Sequence, residues 1–283
     1  ISDLFRAEGS DAWWLKDTSE FIPDTVKCEC GCSKFTKEYD IMDVWFDSGV
    51  SHTAVLDEYK QLKSAPADLY LEGADQYRGW FQSSLLTSVV YNGFAPYKAV
   101  CTHGWVVDGQ GKTMHKSLGN GIAPDEITDK YVADILRLWV ASSDYHSDIR
   151  ISKDILSQLS DMYKKIRNTS RLFLGNLSSG SGFNPDTDMV SYDKLPEIDK
   201  WAIMKLDSLI DKVNEGYNSF DFHIVLHSIH NFYVTDMSNF YIDITKDRLY
   251  CDSENSESRR AAQTVMYTVL SAVTRLIAPI ISY

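Results

Sequence analysis

The sequence predicts an α/β layer followed by an all-α segment, and two observations carry this. Between Asp68 and Asn120 a short apolar run, Leu69-Tyr70-Leu71, stops at Glu72-Gly73; a long helical pattern follows; a second apolar run, Ala99-Val100-Cys101, stops at His103-Gly104. Strand, helix, strand in that order marks a parallel α/β sheet. From Ile151 onward, apolar residues recur instead at steps of three, four or seven, the spacing of helices packed as an antiparallel bundle. The chain therefore divides into residues 1–40, an irregular connector with a cysteine cluster; residues 41–149, the α/β part; and residues 150–283, the helical part.

Composition sets the limits. A chain of 283 residues, 44% of them hydrophobic, is long enough for two cores. The net charge of −12 argues against a generally basic nucleic-acid surface, although a local patch and not the total sets such contacts. No apolar run approaches a membrane span and Ile1 begins no signal peptide, which points to a cytoplasmic protein with no membrane partner. Five cysteines, three of them within five residues, do not form the pattern of a secreted disulfide framework.

In residues 1–40, one short helix is expected between Ile1 and Trp14, and a proline-bearing connector over Phe21 to Lys27. Cys28, Cys30 and Cys32 follow, and closely spaced thiolates suit zinc. Zinc takes four ligands and this cluster offers three at most, so a reduced, metal-free turn stands beside the metal reading. The next stretch is Asp43-Val44-Trp45-Phe46-Asp47-Ser48-Gly49, where Trp45 is either core packing or the wall of a site. The helix after Glu72 is expected to turn Trp80, Leu85, Leu86 and Val89 to one side and to end near Asn92-Gly93.

Ligands of parallel sheets bind at the carboxyl edge of the strands, and both edges here carry polar groups. Glu72 and Asp75 suit ribose hydroxyls, Gly73 permits close backbone approach, and Gln76 offers an acceptor and two donors. The alternative for Glu72 and Asp75 is helix capping. Thr102, His103 and Gly104 end the second strand. Beyond them Gly109, Gly111 and Gly119 make a flexible loop, and Lys112 and Lys116 put two cations on it. Such a loop can close over a triphosphate and stabilise charge in the transition state; otherwise it is a solvated surface loop. Residues 121–149 predict one helix, with Pro124-Asp125-Glu126 at its start and Val132, Ile135, Leu136 and Trp139 as its apolar face.

In the helical part Ile155, Leu159, Met162, Ile166, Phe173 and Leu177 mark one helix; Ile203, Leu206, Leu209, Val213 and Tyr217 a second; Phe222, Leu226, Ile229, Met237, Phe240 and Ile244 a third; and residues 258–283 a fourth. Lys164, Lys165, Arg167 and Arg171 form a basic stretch that is either a solvated helix face or a contact for nucleic-acid phosphates.

The motifs LEGADQYRGWFQSSL, THGWVVDGQGKTMHKSLGN and DVWFDSG, with ADILRLWVASSDY, IRNTSRLFLGNL and FYIDITKDRLY after them, occur in the order found in one family. In them the chain resembles the isoleucyl-tRNA synthetases, class I aminoacyl-tRNA synthetases, over nearly its whole length. The resemblance implies the second half of a Rossmann-like class I catalytic domain followed by an antiparallel helical bundle of the anticodon-binding type. It implies an internal piece of such an enzyme, without the HIGH motif, the editing domain or the natural C-terminal end. It makes Trp45 and Trp80 walls of the amino-acid side-chain pocket, and Glu72, Gly73, Asp75, Gln76, His103 and Gly104 contacts of the aminoacyl-adenylate. Thr113-Met114-His115-Lys116-Ser117 matches the KMSKS loop but departs at Thr113 and His115. Lys116 keeps the main phosphate contact, and Lys112 is expected to supply the missing charge, so both count as catalytic. Cys28 and Cys30 match half of a zinc site that only the full-length protein would complete. The implied ligands are ATP, Mg²⁺, isoleucine and its tRNA, with a monomer as the working form and a chain that is inactive alone. The rivals are a valyl- or leucyl-tRNA synthetase and a tRNA-binding module that has lost catalysis.

Overall fold

A computed structural model describes residues 1–62, 65–178 and 182–283, apart from the Lys116 side chain. The chain forms two compact units, Ile1–Tyr70 with Asp75–Ala99, and Leu71–Ala74 with Val100–Tyr283. Among the described residues no helix is long and apolar enough to cross a membrane.

The first unit begins with α1 (Ser2–Glu8), α2 (Ala12–Leu15) and α3 (Thr18–Phe21), where one short helix was expected. Long-range aromatic contacts organise this stretch: Phe5, Trp13 and Phe21 meet edge-on or tilted, with ring centroids 5.1–6.3 Å apart. The Lys37 ammonium lies 5.9 Å from the Trp13 ring and 5.6 Å from Phe21, and donates to the Trp13 and Lys16 carbonyls.

Next, α4 (Val44–Gly49) and α5 (Ser51–Ala54) pack on α6 (Trp80–Asn92). Asp43 caps α4 by accepting the Trp45 N–H at 2.8 Å. A Cβ on Gly49 would lie 3.1 Å from the Ser83 backbone, so glycine is what lets the two helices touch. That close approach also sets which side of α6 is buried. Phe81, Ser84 and Ser88 face inward, while Leu86 and Val89 are 58% and 49% exposed; the expected face of Trp80, Leu85, Leu86 and Val89 is displaced. The serines are small enough for the contact and their hydroxyls are satisfied, Ser84 by the Tyr70 hydroxyl and Ser88 by the Phe94 carbonyl, both at 2.9 Å. The helix ends as expected, at Gly93 with φ +79°.

Strand β1 (Ala67–Gly73) pairs with β2 (Tyr97–His103). The Ala67 N–H donates to the Pro96 carbonyl at 2.7 Å, which puts the starts of the two strands side by side. They therefore run in the same direction and end at one edge.

In the second unit β3 (Val106–Val107) pairs in parallel with β4 (Ile149–Arg150). Between them lie α7 (Pro124–Lys130) and α8 (Ala133–Ser142), in place of the single helix expected over 121–149. Tyr131 and Val132 are extended and break it; Val132 is 54% exposed, and Ile135, Leu138 and Trp139 carry the buried face.

The bundle consists of α9 (Lys153–Leu177), α10 (Glu197–Asn218), α11 (Phe222–Asn231), a π-helical segment (Phe232–Tyr241), α12 (Ile242–Tyr250) and α13 (Glu257–Ile277). Gln263 near the start of α13 donates to the Asn176 carbonyl near the end of α9, so these two helices are antiparallel. Asp199 in the first turn of α10 meets Arg248 in the last turn of α12, so this pair is antiparallel too. The π segment changes which residues face the core. Its wider turns bury Tyr233, Met237 and Tyr241 at steps of four, and the shifted register carries into α12, where Thr245 and Leu249 are buried; Phe240 and Ile244 are left 43% and 51% exposed, contrary to expectation.

Asp199 is wholly buried and accepts both guanidinium nitrogens of Arg248, at 3.0 and 2.6 Å, and the Tyr241 hydroxyl at 2.5 Å. Burial, and then the Asp199 charge, push the Tyr241 phenol well above its ordinary range, so it remains a donor. Asp199→Ala would leave the Tyr241 hydroxyl and Arg248 Nη1 without an acceptor and the guanidinium charge without its partner, and we expect a loss of about 3–5 kcal/mol in stability, measured by urea unfolding.

Candidate active site

In the first unit the expected pocket walls come together on a glycine. The turn Ala74–Arg78 follows β1, and in it Gln76 accepts the Trp80 N–H with Oε1 at 2.9 Å and donates from Nε2 to Asp75 Oδ2 at 3.1 Å. The residue that caps α6 is therefore Gln76, and neither Glu72 nor Asp75 does so. A Cβ on Gly79 would lie 2.6 Å from Gln76 Oε1 and 3.0 Å from the Trp45 ring, so glycine lets that ring rest close on the backbone without a shift. Trp80 donates from Nε1 to the Ser48 carbonyl at 2.8 Å and stacks on Tyr70 with centroids 4.2 Å apart. Both tryptophans are thereby oriented around the Gly79 backbone, and Trp45 stays 48% exposed. A separate apolar groove of about 580 Å³, lined by Phe46, Val50, Leu86, Val90 and Tyr91, contains none of the expected site residues.

Behind Phe46 and Val50 the His52 ring, 2% exposed, joins α5 to α6. Its Nδ1 accepts from Thr53 at 2.9 Å and from the Asn92 amide at 3.4 Å, which leaves Nε2 to donate to Thr87 Oγ1 at 3.2 Å. Burial lowers the affinity of this ring for a proton below the ordinary value of 6.5.

In the second unit Glu72 and Gly73 end β1, His103 ends β2, and Gly104 follows at the same carboxyl edge. Glu72 is exposed and Gly73 buried. His103 donates from Nδ1 to the Gly104 carbonyl at 2.8 Å, so Nε2 of the neutral ring is an acceptor. A Cβ on Gly104 would lie 2.4 Å from the Ser147 carbonyl carbon, and the Gly104 N–H donates to the Tyr145 carbonyl at 2.8 Å.

The loop beyond β3 is ordered by two side chains. Asp108 Oδ1 accepts the N–H groups of Gln110 and Lys112, each at 2.9 Å. Asn120 donates to Asp108 Oδ2 at 2.9 Å and to the Thr113 carbonyl at 3.2 Å, and accepts the His115 N–H at 2.9 Å. The Asn120 amide, then the Lys112 N–H, hold the Asp108 carboxyl below its ordinary range. Gly111 and Gly119 have φ of +82° and +62°, so these glycines supply turn geometry to a hydrogen-bonded loop. Met114 packs against the hydrophobic core, while Lys112, Thr113, His115 and Ser117 are exposed. Lys116 opens a short 3₁₀ turn, Lys116–Leu118; its side chain lies outside the described residues.

Asp108, Asn120 and Arg150 escaped the sequence reading. The Arg150 guanidinium lies 3.3 Å from where a Cβ on Gly111 would be, and brings a further cation to the loop. Asp108 had a signal, since Asp-Gly is turn chemistry; Asn120 and Arg150 had none.

Cys28, Cys30 and Cys32 occupy one turn, closed by the Cys28 N–H on the Cys32 carbonyl at 2.9 Å, with all three exposed. The Cys30 N–H pulls the Cys28 thiol below its ordinary value. Among the described residues no three His, Cys, Asp or Glu side chains converge as metal ligands. On α9, Lys164 pairs with Asp161 at 2.9 Å, and Lys165, Arg167 and Arg171 are exposed.

Residues 1–152 match the family model described as tRNA synthetases class I (I, L, M and V), and residues 199–283 that of the anticodon-binding domain of tRNA ligase. The chain belongs to the class I tRNA synthetases. It is 58% identical to an isoleucine–tRNA ligase of Caldicellulosiruptor bescii and 56% identical to one of Syntrophotalea carbinolica, each over 100% of this chain. The chain spans 30% of the length of each of these relatives. Its fold is similar to that of LeuRS from Agrobacterium radiobacter K84, solved as a ternary complex with tRNA and LeuAMS, with a TM-score of 0.70 at 20% identity over 90% of this chain and 31% of that one. The class I architecture, a catalytic-domain portion joined to a helical anticodon-binding portion, is thus the one the motifs implied.

Lowering the pH from about 7.5 to 5.5 should destabilise the first unit. Below 6.5 the unfolded chain takes up a proton that the folded His52 ring resists, so stability falls as pH drops through the depressed native value. Urea midpoints of wild type and His52→Gln across this range check it; the variant should lose much of the pH dependence.

Proposed function

We propose that the chain supplies the adenylate-facing half of the active site, and a helical tRNA-binding part, to an isoleucine–tRNA ligase. The observation that carries this is the match at 56–58% identity along the whole chain to isoleucine–tRNA ligases. In this reading the isoleucine carboxylate attacks the α-phosphate of ATP, giving isoleucyl-adenylate and pyrophosphate. The acyl group then passes to a terminal ribose hydroxyl of the tRNA. Side chains do little covalent chemistry, and positioning with charge stabilisation carries the rate.

Trp45 and Trp80 offer flat apolar walls to a branched aliphatic side chain. Gln76, held by its bond to the Trp80 N–H, keeps Asp75 oriented toward the ammonium or ribose of the adenylate. Glu72, Gly73, His103 and Gly104 serve the nucleotide at the strand ends. Lys112 and Lys116 are the catalytic cations on the triphosphate, and Arg150 lies near the same loop at Gly111. Mg²⁺ would be carried on the ATP phosphates in this reading. Zinc at Cys28 and Cys30 belongs to the longer protein in this reading. Exposed Lys165, Arg167 and Arg171 suit tRNA phosphates, and the working form is a cytoplasmic monomer.

The test is amino-acid-dependent ATP–pyrophosphate exchange by a protein of the relatives' length. Isoleucine should be activated in preference to valine by roughly 10–200-fold, the range one methylene allows. The 283-residue chain alone should show no exchange. A preference for valine or leucine would overturn the specificity and keep the fold. No exchange with any amino acid would leave a tRNA-binding module.

A further inference from the structure

We propose that Asn120, braced by Asp108, is a positioning residue that holds the cationic loop in the shape required for the ATP-dependent step. This rests on the adenylation reading above and adds to it residues outside the five-residue lysine motif.

Five hydrogen bonds from two side chains span the loop from Asp108 to Asn120. Asn120 uses both donors of its amide and its acceptor, on Asp108, Thr113 and His115. The backbone groups it holds flank Met114, whose side chain packs into the core. The segment is therefore pinned on both sides of one apolar anchor. The brace is tied to the sheet as well. Asp108 follows Val107, whose carbonyl accepts the Ile151 N–H at 3.0 Å and which pairs with Arg150. A loop carrying cations must present them at a fixed distance from the phosphates, and a shift of about 1 Å can cost on the order of 100-fold in rate.

The pairing is chemically directional. Asp108 can only accept, and Asn120 must donate to it while accepting from His115. Asn120→Asp sets two carboxylates against each other. Asp108→Asn sets two amide donors against each other, and flipping Asn120 to relieve this would turn its donors toward the His115 N–H. The exchange Asp108→Asn with Asn120→Asp restores the pair: an amide at 108 still accepts from Gln110 and Lys112 and donates to a carboxylate at 120, which still accepts from His115. The bond to the Thr113 carbonyl is lost, and a carboxylate oxygen faces that carbonyl in its place, so recovery is incomplete.

The experiment uses the protein of the relatives' length, with each single variant, the exchanged double variant and wild type compared in isoleucine-dependent pyrophosphate exchange. Each single variant should lose roughly 10- to 100-fold in kcat, with the KM for isoleucine unchanged and transfer from preformed isoleucyl-adenylate to tRNA unaffected. The double variant should regain most of the loss, the signature of a direct coupling. Thermal melts identify any variant that fails to fold, and the double variant keeps the test decisive in that case. Wild-type exchange in both single variants would overturn the proposal, as would a double variant no better than the worse single. A wild-type protein without exchange would instead overturn the adenylation reading, and this inference with it.

Discussion

The second unit depends on one contact between backbones. At Gly104 there is no room for a Cβ, because the Ser147 carbonyl carbon would lie 2.4 Å from it. That contact seats the end of β2 against the turn before β4. The pairing of β3 with β4 follows from it, supported by Trp105, which accepts the Ile149 N–H at 2.8 Å and gives its own N–H to Asp148 at 2.8 Å. The lysine-bearing loop leaves β3 and α9 leaves β4, so the loop and the bundle grow from one root. Other bonds tighten it. The Tyr145 hydroxyl donates to the Phe220 carbonyl at 2.7 Å, at a turn where Phe220 holds the strained φ of +62°. Arg137 on α8 donates to the carbonyls of Pro279 and Ile280 at 2.7 and 2.6 Å.

Within each unit the candidate residues are held mainly by backbone geometry and neutral polar side chains. Glycines at 49 and 79 ease close contacts within the first unit, and in the second a Cβ at 104 would collide with backbone. Gln76 and Asn120 fix their neighbours through side-chain amides that accept and donate at once. Such groups hold a geometry without adding charge. An acidic chain of net charge −12 still carries local cations, such as Arg150 beside Gly111.

Much of this was legible in the sequence. The strand ends at Gly73 and His103 and the stop of α6 at Gly93 follow from apolar runs and turn residues, which act locally. The motifs around Trp45, Glu72 and Lys116 pointed to the family before any geometry was known. The misses share a cause, since each depends on a partner far along the chain. Leu86 and Val89 look like a core face until Gly49 brings another backbone onto Ser83 and turns the serines inward. Phe240 and Ile244 follow an α-helical period, but the π segment winds wider. Val132 fits the apolar pattern of a helix that the extended Tyr131 and Val132 backbone interrupts. Asn120 and Arg150 lie outside the lysine motif, and only the folded loop shows what they touch.

Side-chain bonds rooted in the β3–β4 pair hold the cationic loop in shape. Amide hydrogen exchange at Lys112 and His115, measured in the ligand-free protein of the relatives' length, tests this most directly. The account predicts protection at both amides, with protection at His115 lost on Asn120→Ala. Exchange of both at the rate of an unstructured peptide would contradict it.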